Sequence, residues 1–226
     1  MKLVIFDCDG TLVDSQNAIY GAMEYAFAGM GLTVPTRPQV LSIVGLSLPQ
    51  AFEALVPRAS VSVRRELAER YKGAFPVKRS EVAERETLYP GAKEVVEALA
   101  ARGDVVLGIA TGKSRRGVAR LFDQEGWHDL FATVQTADDH PSKPNPAMIQ
   151  AALDETGAQA TATVMIGDTT YDIDMGRNAG VATLGVAWGY HELEELTAAG
   201  AHEIVHRFVD VPESIDRLFG MVERAR

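Results

Sequence analysis

Five short apolar runs punctuate the chain: LVIF at 3–6, VVLGIAT at 105–111, ATVQT at 132–136, ATVMIG at 162–167 and ATLGVAWG at 182–189. Each has the length of a strand. Their hydrophobicity is nearly continuous rather than alternating, which predicts strands covered on both faces, as in a parallel sheet. Between them apolar residues return at helical spacing. In GAKEVVEALAARG, Ala92, Val95, Val96 and Leu99 share one face, and Gly103 is the expected C-terminal stop. Residues 147–156 and 172–179 read as helices in the same way. Strands alternating with helices at this spacing predict an α/β protein with a doubly wound parallel sheet.

One region breaks the alternation. From residue 16 to residue 85 the pattern is helical throughout, with one apolar stripe at Ile19, Ala22, Met23, Ala26 and Met30 and another at Val63, Leu67, Tyr71 and Phe75. An all-helical insertion directly after the first strand predicts a second, smaller domain over 16–85. The α/β core would then comprise 1–15 and 86–226, and the polar run KRSEVAERET would mark the return to it.

Composition narrows the partners. In a chain of 226 residues with 46% apolar and 23% charged residues, a formal net charge of −9 argues against nucleic acid or an anionic membrane surface. It does not argue against a small anionic substrate, which needs only a few local cations. The single cysteine, Cys8, can form no internal disulfide and is expected to pack inside the sheet. No apolar run reaches the length of a membrane span, and MKLVIFD meets a charge before any signal-type apolar segment forms, so a cytoplasmic protein is expected.

The chemistry gathers where the strands end. In an open parallel sheet, ligands bind outside the carboxyl ends of the strands. The first run leads into Asp7 and Asp9, and the second into Thr111, Gly112 and Lys113. The third leads into ADDHPSKPNP with Lys143 among three prolines, and the fourth into GDTTYDID with Asp168 and Asp172. Two carboxylates closing an apolar strand repel one another and resist desolvation unless a cation or proton compensates. Mg²⁺ takes oxygen ligands, commonly one or two carboxylates plus phosphate, and Asp7 and Asp168 are natural ligands for it. A carboxylate can attack phosphorus, and a metal, a lysine, a hydroxyl and backbone N–H groups can stabilise the transferring oxygens. The set suits phosphoryl transfer.

Taken together, DCDGT, the threonine of IATGK, the lysine of SKPNP, and GDTTYD resemble the four ordered motifs of the haloacid dehalogenase superfamily. The likeness runs along nearly the whole chain and includes the position of the helical insertion, which resembles that family's mobile cap. Within the superfamily it is most similar to the phosphoglycolate phosphatase group. The resemblance implies a Rossmann-like sheet under a cap, Mg²⁺ as cofactor, and hydrolysis of a small phosphorylated metabolite through an aspartyl-phosphate. It implies Asp7 as nucleophile and metal ligand. Asp9 would be general acid and base, with its backbone carbonyl on the metal. Thr111 and Gly112 would hold phosphoryl oxygens, Lys143 would neutralise charge there, Asp168 would be a metal ligand, and Asp172 would act at the metal directly or through water.

Plainer readings stand beside these. Two acids in a Gly-Thr turn can be a solvated loop, and an acid in a helix's first turn, such as Asp172, is favoured by the dipole alone. Asp14 and Asp174 read as structural or solvated. Lys113, Arg115 and Arg116 cluster at a helix start that does not favour cations, which suggests an anion nearby. His140 has no expected chemical role. The cap loop VGLSLPQ, 44–50, carries no lysine, unlike phosphonate-cleaving relatives, and has Leu48 where phosphomutases of the β-phosphoglucomutase type carry arginine. Hydrolysis is therefore expected over sugar phosphate isomerisation, with inorganic pyrophosphate an alternative substrate and a non-catalytic binding module the rival class. That loop and the segment from Tyr71 to Lys78 are expected to border the substrate. The oligomeric state is left open.

Overall fold

The computed structural model describes residues 1–81 and 87–224, apart from the side chains of 75–81 and 221–224. In chain order its main elements begin with β1 (Lys2–Phe6), β2 (Val13–Asp14), and the helices α1 (Gln16–Ala28), α2 (Arg37–Leu41), α3 (Leu48–Leu55) and α4 (Val61–Glu81). Then follow β3 (Thr87–Leu88), α5 (Ala92–Ala100), β4 (Val105–Thr111), α6 (Arg115–Glu125), β5 (Phe131–Thr136) and α7 (Ala147–Thr156). The chain ends with β6 (Thr163–Gly167), α8 (Thr170–Asn178), β7 (Ala182–Val186), α9 (Leu193–Ala198), β8 (Glu203–Val205) and α10 (Val211–Arg224).

Six strands form one sheet in the order β5-β4-β1-β6-β7-β8, every pair parallel. The continuous apolar runs have their explanation here. Val4 and Phe6 of β1 face one layer with Leu107, Ile109, Val164 and Ile166, against helices α5, α6 and α10. Leu3 and Ile5 face the other layer with Ala110 and Met165, against α7 and α8. With both faces dry, no strand position needs a polar residue. The chain runs outward from β1 through β4 to β5, then crosses back to β6 on the opposite side. The order reverses at β1, and that switch point is where an open sheet leaves a crevice.

The helical segment packs around its own cluster, in which Ile19, Met23 and Phe27 of α1 meet Val40, Phe52 and Leu67. Tyr71 lies on the inward stripe with Val63 and Leu67, as the spacing predicts, its ring 6.2 Å from that of Phe52. The apolar stripe claims it because burial against the cluster is its nearest source of stability. Phe75 and the side chains to Lys78 lie outside the described residues, as does the boundary expected at 85–86. Among the described residues 16–81 there is no strand.

Other expectations shift by small amounts for physical reasons. The two short strands β2 and β3 pair antiparallel, Val13 with Leu88 and Asp14 with Thr87, and join the two chain crossings between sheet and helices. They are too short to carry a hydrophobic period. Gly103 does not stop α5: the helix ends at Ala100, and Arg102 N–H closes a tighter turn on Leu99 O at 3.1 Å. The run at 182–189 stops being a strand at Val186, and the next residues fold over the end of β6. The last three residues of the loop expected at 44–50 are the first turn of α3, with Pro49 at a position that favours a helix start.

Candidate active site

Three carboxylates and one ammonium meet at the carboxyl ends of β1 and β6. Asp7 is still held by the ladder, its N–H donating to Ile166 O at 2.9 Å. Its side chain is 1% exposed, and neither carboxylate oxygen has a hydrogen bond. Lys143, fully buried, stands 3.1 Å from Asp7 Oδ1, a charge contact without hydrogen-bond alignment, and donates to Asp172 Oδ1 at 2.5 Å. Asp168 accepts from Thr11 Oγ1 (2.8 Å) through Oδ1 and from Tyr190 N–H (2.9 Å) through Oδ2. One oxygen from each of Asp7, Asp168 and Asp172 lies within 4.8 Å of the others.

Space for this cluster comes from residues without side chains. A Cβ on Gly10, whose φ is +85°, would stand 2.2 Å from Asp168 Oδ2, and one on Gly189 would stand 2.1 Å from Asp168 Cβ. Asp172 is also the N-terminal anchor of α8, since its Oδ2 accepts from Thr169 N–H (3.1 Å) and Thr169 Oγ1 (2.7 Å). The plain reading of an acid in a first turn therefore holds for one of its oxygens, while the other binds Lys143.

The electrostatics describe a site built for a cation. Burial pushes Asp7 up to about 6; Lys143 opposes that shift and Asp172 adds to it. Burial, followed by the charges of Asp172 and Asp7, holds Asp168 well above the usual carboxylate range. Burial disfavours the Lys143 ammonium, but Asp172 and Asp7 outweigh it and keep the lysine above its ordinary value. One ammonium cannot balance three buried carboxylates once they ionise. The orphaned oxygens of Asp7 and the all-oxygen donor set fit a hard divalent cation.

The remaining predicted residues occupy the rim. Thr111 ends β4 fully buried, and its Oγ1 accepts from Lys113 N–H at 3.1 Å. Gly112 lies under the helical segment: a Cβ there would stand 2.7 Å from Gly45 O. Asp9 contributes no oxygen to the three-carboxylate group and instead accepts from Lys113 Nζ at 2.8 Å. Arg115 pairs with Asp139, and Arg116 is exposed. His140 contacts Gln135 Oε1 at 2.7 Å, while Cys8 is buried with Phe6, its thiol pushed up by burial and then by Asp7. Asp14 accepts from Gln16.

The helical segment is seated on these loops. Ser47 N–H donates to Ser142 Oγ at 2.7 Å, beside Lys143. Ser42 O accepts from Tyr171 OH (3.0 Å) and His191 Nε2 (3.3 Å), and Ser15 N–H donates to Tyr190 OH (3.1 Å). Thr11, Tyr190 and Gly189 were not singled out by sequence. Thr11 sits inside DCDGT, and WGY overlaps the end of the fifth run as a turn, which were the available signals.

The family described as "Haloacid dehalogenase-like hydrolase" matches residues 4–186. The chain belongs to this family. A curated relative, "Probable phosphatase IndB" of Dickeya dadantii (strain 3937), is 35% identical over 219 residues, covering 92% of this chain and 91% of the relative. "Phosphoglycolate phosphatase" of Vibrio vulnificus (strain YJ016) is 30% identical over 208 residues, covering 88% and 89%. Among solved structures, a predicted phosphatase from Clostridium acetobutylicum superposes with a TM-score of 0.85 at 23% identity, over 96% of this chain and 98% of that one. That superposition concerns the fold: an α/β sheet flanked by helices with a helical insertion.

For this haloacid dehalogenase-like hydrolase the cluster carries a direct consequence. A divalent cation is expected to raise the thermal midpoint, by the equivalent of about 2.7 kcal/mol at a hundredfold excess over its Kd. Asp168→Asn is expected to remove most of that shift. A metal must displace the protons that burial has stabilised on Asp7 and Asp168, so the shift should shrink as pH falls below about 6. Thermal melts with and without EDTA across that range check both.

Proposed function

We propose that the protein is a Mg²⁺-dependent phosphatase that hydrolyses a small phosphorylated metabolite through an aspartyl-phosphate on Asp7. One observation carries this: both Asp7 oxygens are buried without a hydrogen bond, beside Lys143 and two further carboxylates. A carboxylate left unsolvated and unbonded is a competent nucleophile that the fold has no structural reason to keep. The two relatives described above bear phosphatase names, which supports the same reading.

In the first step an Asp7 oxygen forms a bond to phosphorus while the bond to the leaving oxygen breaks, and Asp9 gives that oxygen its proton. In the second, water attacks the same phosphorus, Asp9 takes the water's proton, and the Asp7–phosphorus bond breaks to release phosphate. Thr111 Oγ1, the backbone N–H of Gly112 and the Lys143 ammonium would hold the phosphoryl oxygens. Asp7, Asp168 and the Asp9 carbonyl would hold Mg²⁺, with Asp172 acting through its tie to Lys143 or through water. When bound, the ion neutralises the cluster and the transferring charge. The helical segment 16–81 would serve as the cap that excludes water, with Gly45 lying over Gly112.

Phosphoglycolate is the first substrate to test, since that activity is in the name of several relatives. Leu46 and Leu48 lie within the cap loop and offer no cation for a second carboxylate, so sugar phosphates and pyrophosphate belong in the same panel. With Mg²⁺, turnover of at least one small phosphomonoester well above background is expected. Silence across the panel would support a binding module instead. Asp9→Asn is expected to lower the rate roughly 10²–10⁴-fold on alkyl phosphates and much less on p-nitrophenyl phosphate, whose leaving oxygen needs little protonation. An equal loss on both would assign Asp9 to the metal or to positioning.

A further inference from the structure

Asp9 and Lys113 meet at the rim, and the surroundings of the lysine explain why it reaches that point. The two side chains are 14% and 11% exposed, and Nζ lies 2.8 Å from Asp9 Oδ1. Lys113 N–H is tied to Thr111 Oγ1, which fixes the backbone just beyond β4. From there the aliphatic stem lies across the first turn of α6, over Gly117. A Cβ on Gly117 would stand 2.8 Å from Lys113 Cγ and 3.2 Å from Cε.

Both residues are locally unfavourable choices. A cation just before a helix N-terminus opposes the dipole, and glycine inside a helix costs about 1 kcal/mol relative to alanine. Ser114 already caps the helix by accepting from Gly117 N–H at 3.2 Å, so the glycine is not needed as a cap. Local rules broken together near a reacting group point to a shared purpose.

We propose that Lys113 is a positioning residue for Asp9, and that Gly117 is the bare seat over which its stem reaches the carboxylate. The proposal rests on the reading of Asp9 as the acid and base. A free aspartate samples several rotamers. The ammonium holds Oδ1 in one of them and leaves Oδ2 to exchange protons with the leaving oxygen and then with water. In this role the Lys113 ammonium acts on the phosphoryl group only through Asp9. Its contribution is that Asp9 need not search for its place in either step.

The test compares Lys113→Met, Lys113→Arg, Gly117→Ala and Asp9→Asn, and the double variant of Asp9→Asn with Lys113→Met. Each is assayed on p-nitrophenyl phosphate and on the alkyl phosphate turned over fastest by the wild type, with thermal midpoints to confirm folding. Lys113→Met is expected to lower kcat on the alkyl phosphate by about 10–100-fold, a share of the general-acid contribution, with KM within about twofold and little loss on p-nitrophenyl phosphate. Gly117→Ala keeps the charge but displaces the stem, and should show the same selectivity at smaller size. Lys113→Arg should retain more rate than Lys113→Met. In the Asp9→Asn background, Lys113→Met should cost nothing further. Losses that add in the double variant, or that appear in KM alone, would place Lys113 on the substrate and overturn the proposal while leaving Asp9's role intact. If Asp9→Asn shows no leaving-group selectivity, the reading of Asp9 fails first and the proposal falls with it.

Discussion

Asp7→Asn is expected to eliminate turnover, by more than about 10⁴-fold, while leaving the protein folded and, in metal-free buffer above pH 6, at least as stable as the wild type. The first part follows from chemistry: asparagine keeps the shape but has no anionic oxygen to attack phosphorus. The second follows from the burial that pushes the Asp7 carboxyl up to about 6. Above that pH the folded state holds a charge its surroundings disfavour on balance, although Lys143 offsets part of the cost. The neutral amide removes the penalty. Two measurements check the pair: acid-quenched detection of phosphoprotein with a labelled substrate, and denaturant midpoints in EDTA. A variant that still accumulates phosphoprotein would remove Asp7 from the nucleophile's role. A large loss of stability would mean that the carboxylate is kept for the fold.

Lys143→Met should behave in the opposite way. The ammonium is fully buried between Asp7 and Asp172, so its removal leaves buried carboxylates without a cation. Breaking a buried ionic group from one side typically costs about 3–5 kcal/mol. A loss of that order is expected in the denaturant midpoint, together with the loss of catalysis. Mg²⁺ should restore part of the stability by supplying positive charge to the same oxygens. Pairing Lys143→Met with Asp172→Asn should also recover stability, because the two groups share one bond and their effects cannot add. A single variant that melts like the wild type would show that the cluster does not depend on the lysine.

These two variants separate what the site is for from what holds it. Asp7 has only its charge contact with Lys143 to lose, whereas Lys143 and Asp172 serve both roles: Asp172 anchors the first turn of α8 through Thr169 and the lysine through its other oxygen. The dipole reading of Asp172 and the chemical reading of it are therefore compatible. The carboxylate has two oxygens and uses one for each.

Along the chain, the alternation of apolar strands with helical stripes was enough to predict a doubly wound α/β sheet and a helical insertion. Burial on both faces of a parallel sheet writes itself into continuous apolar runs, and an amphipathic helix writes itself into a period of 3.6. The loops after those strands were equally legible as the place for Asp7, Thr111, Lys143 and Asp168, because topology alone sends strand ends to one edge. Contacts between residues distant in sequence were not legible. Asp9 reaches Lys113 across 104 positions, Tyr190 N–H reaches Asp168, and Gly10 and Gly189 clear the space that Asp168 fills. The strand β8, three residues at the sheet edge, was equally hidden, being too short to carry a period. Local pattern depends on each residue's own preference for water or for the interior, and a sequence displays that preference directly. The partner of a buried charge depends on which loops the fold brings within a few ångströms, and only the assembled tertiary structure decides that.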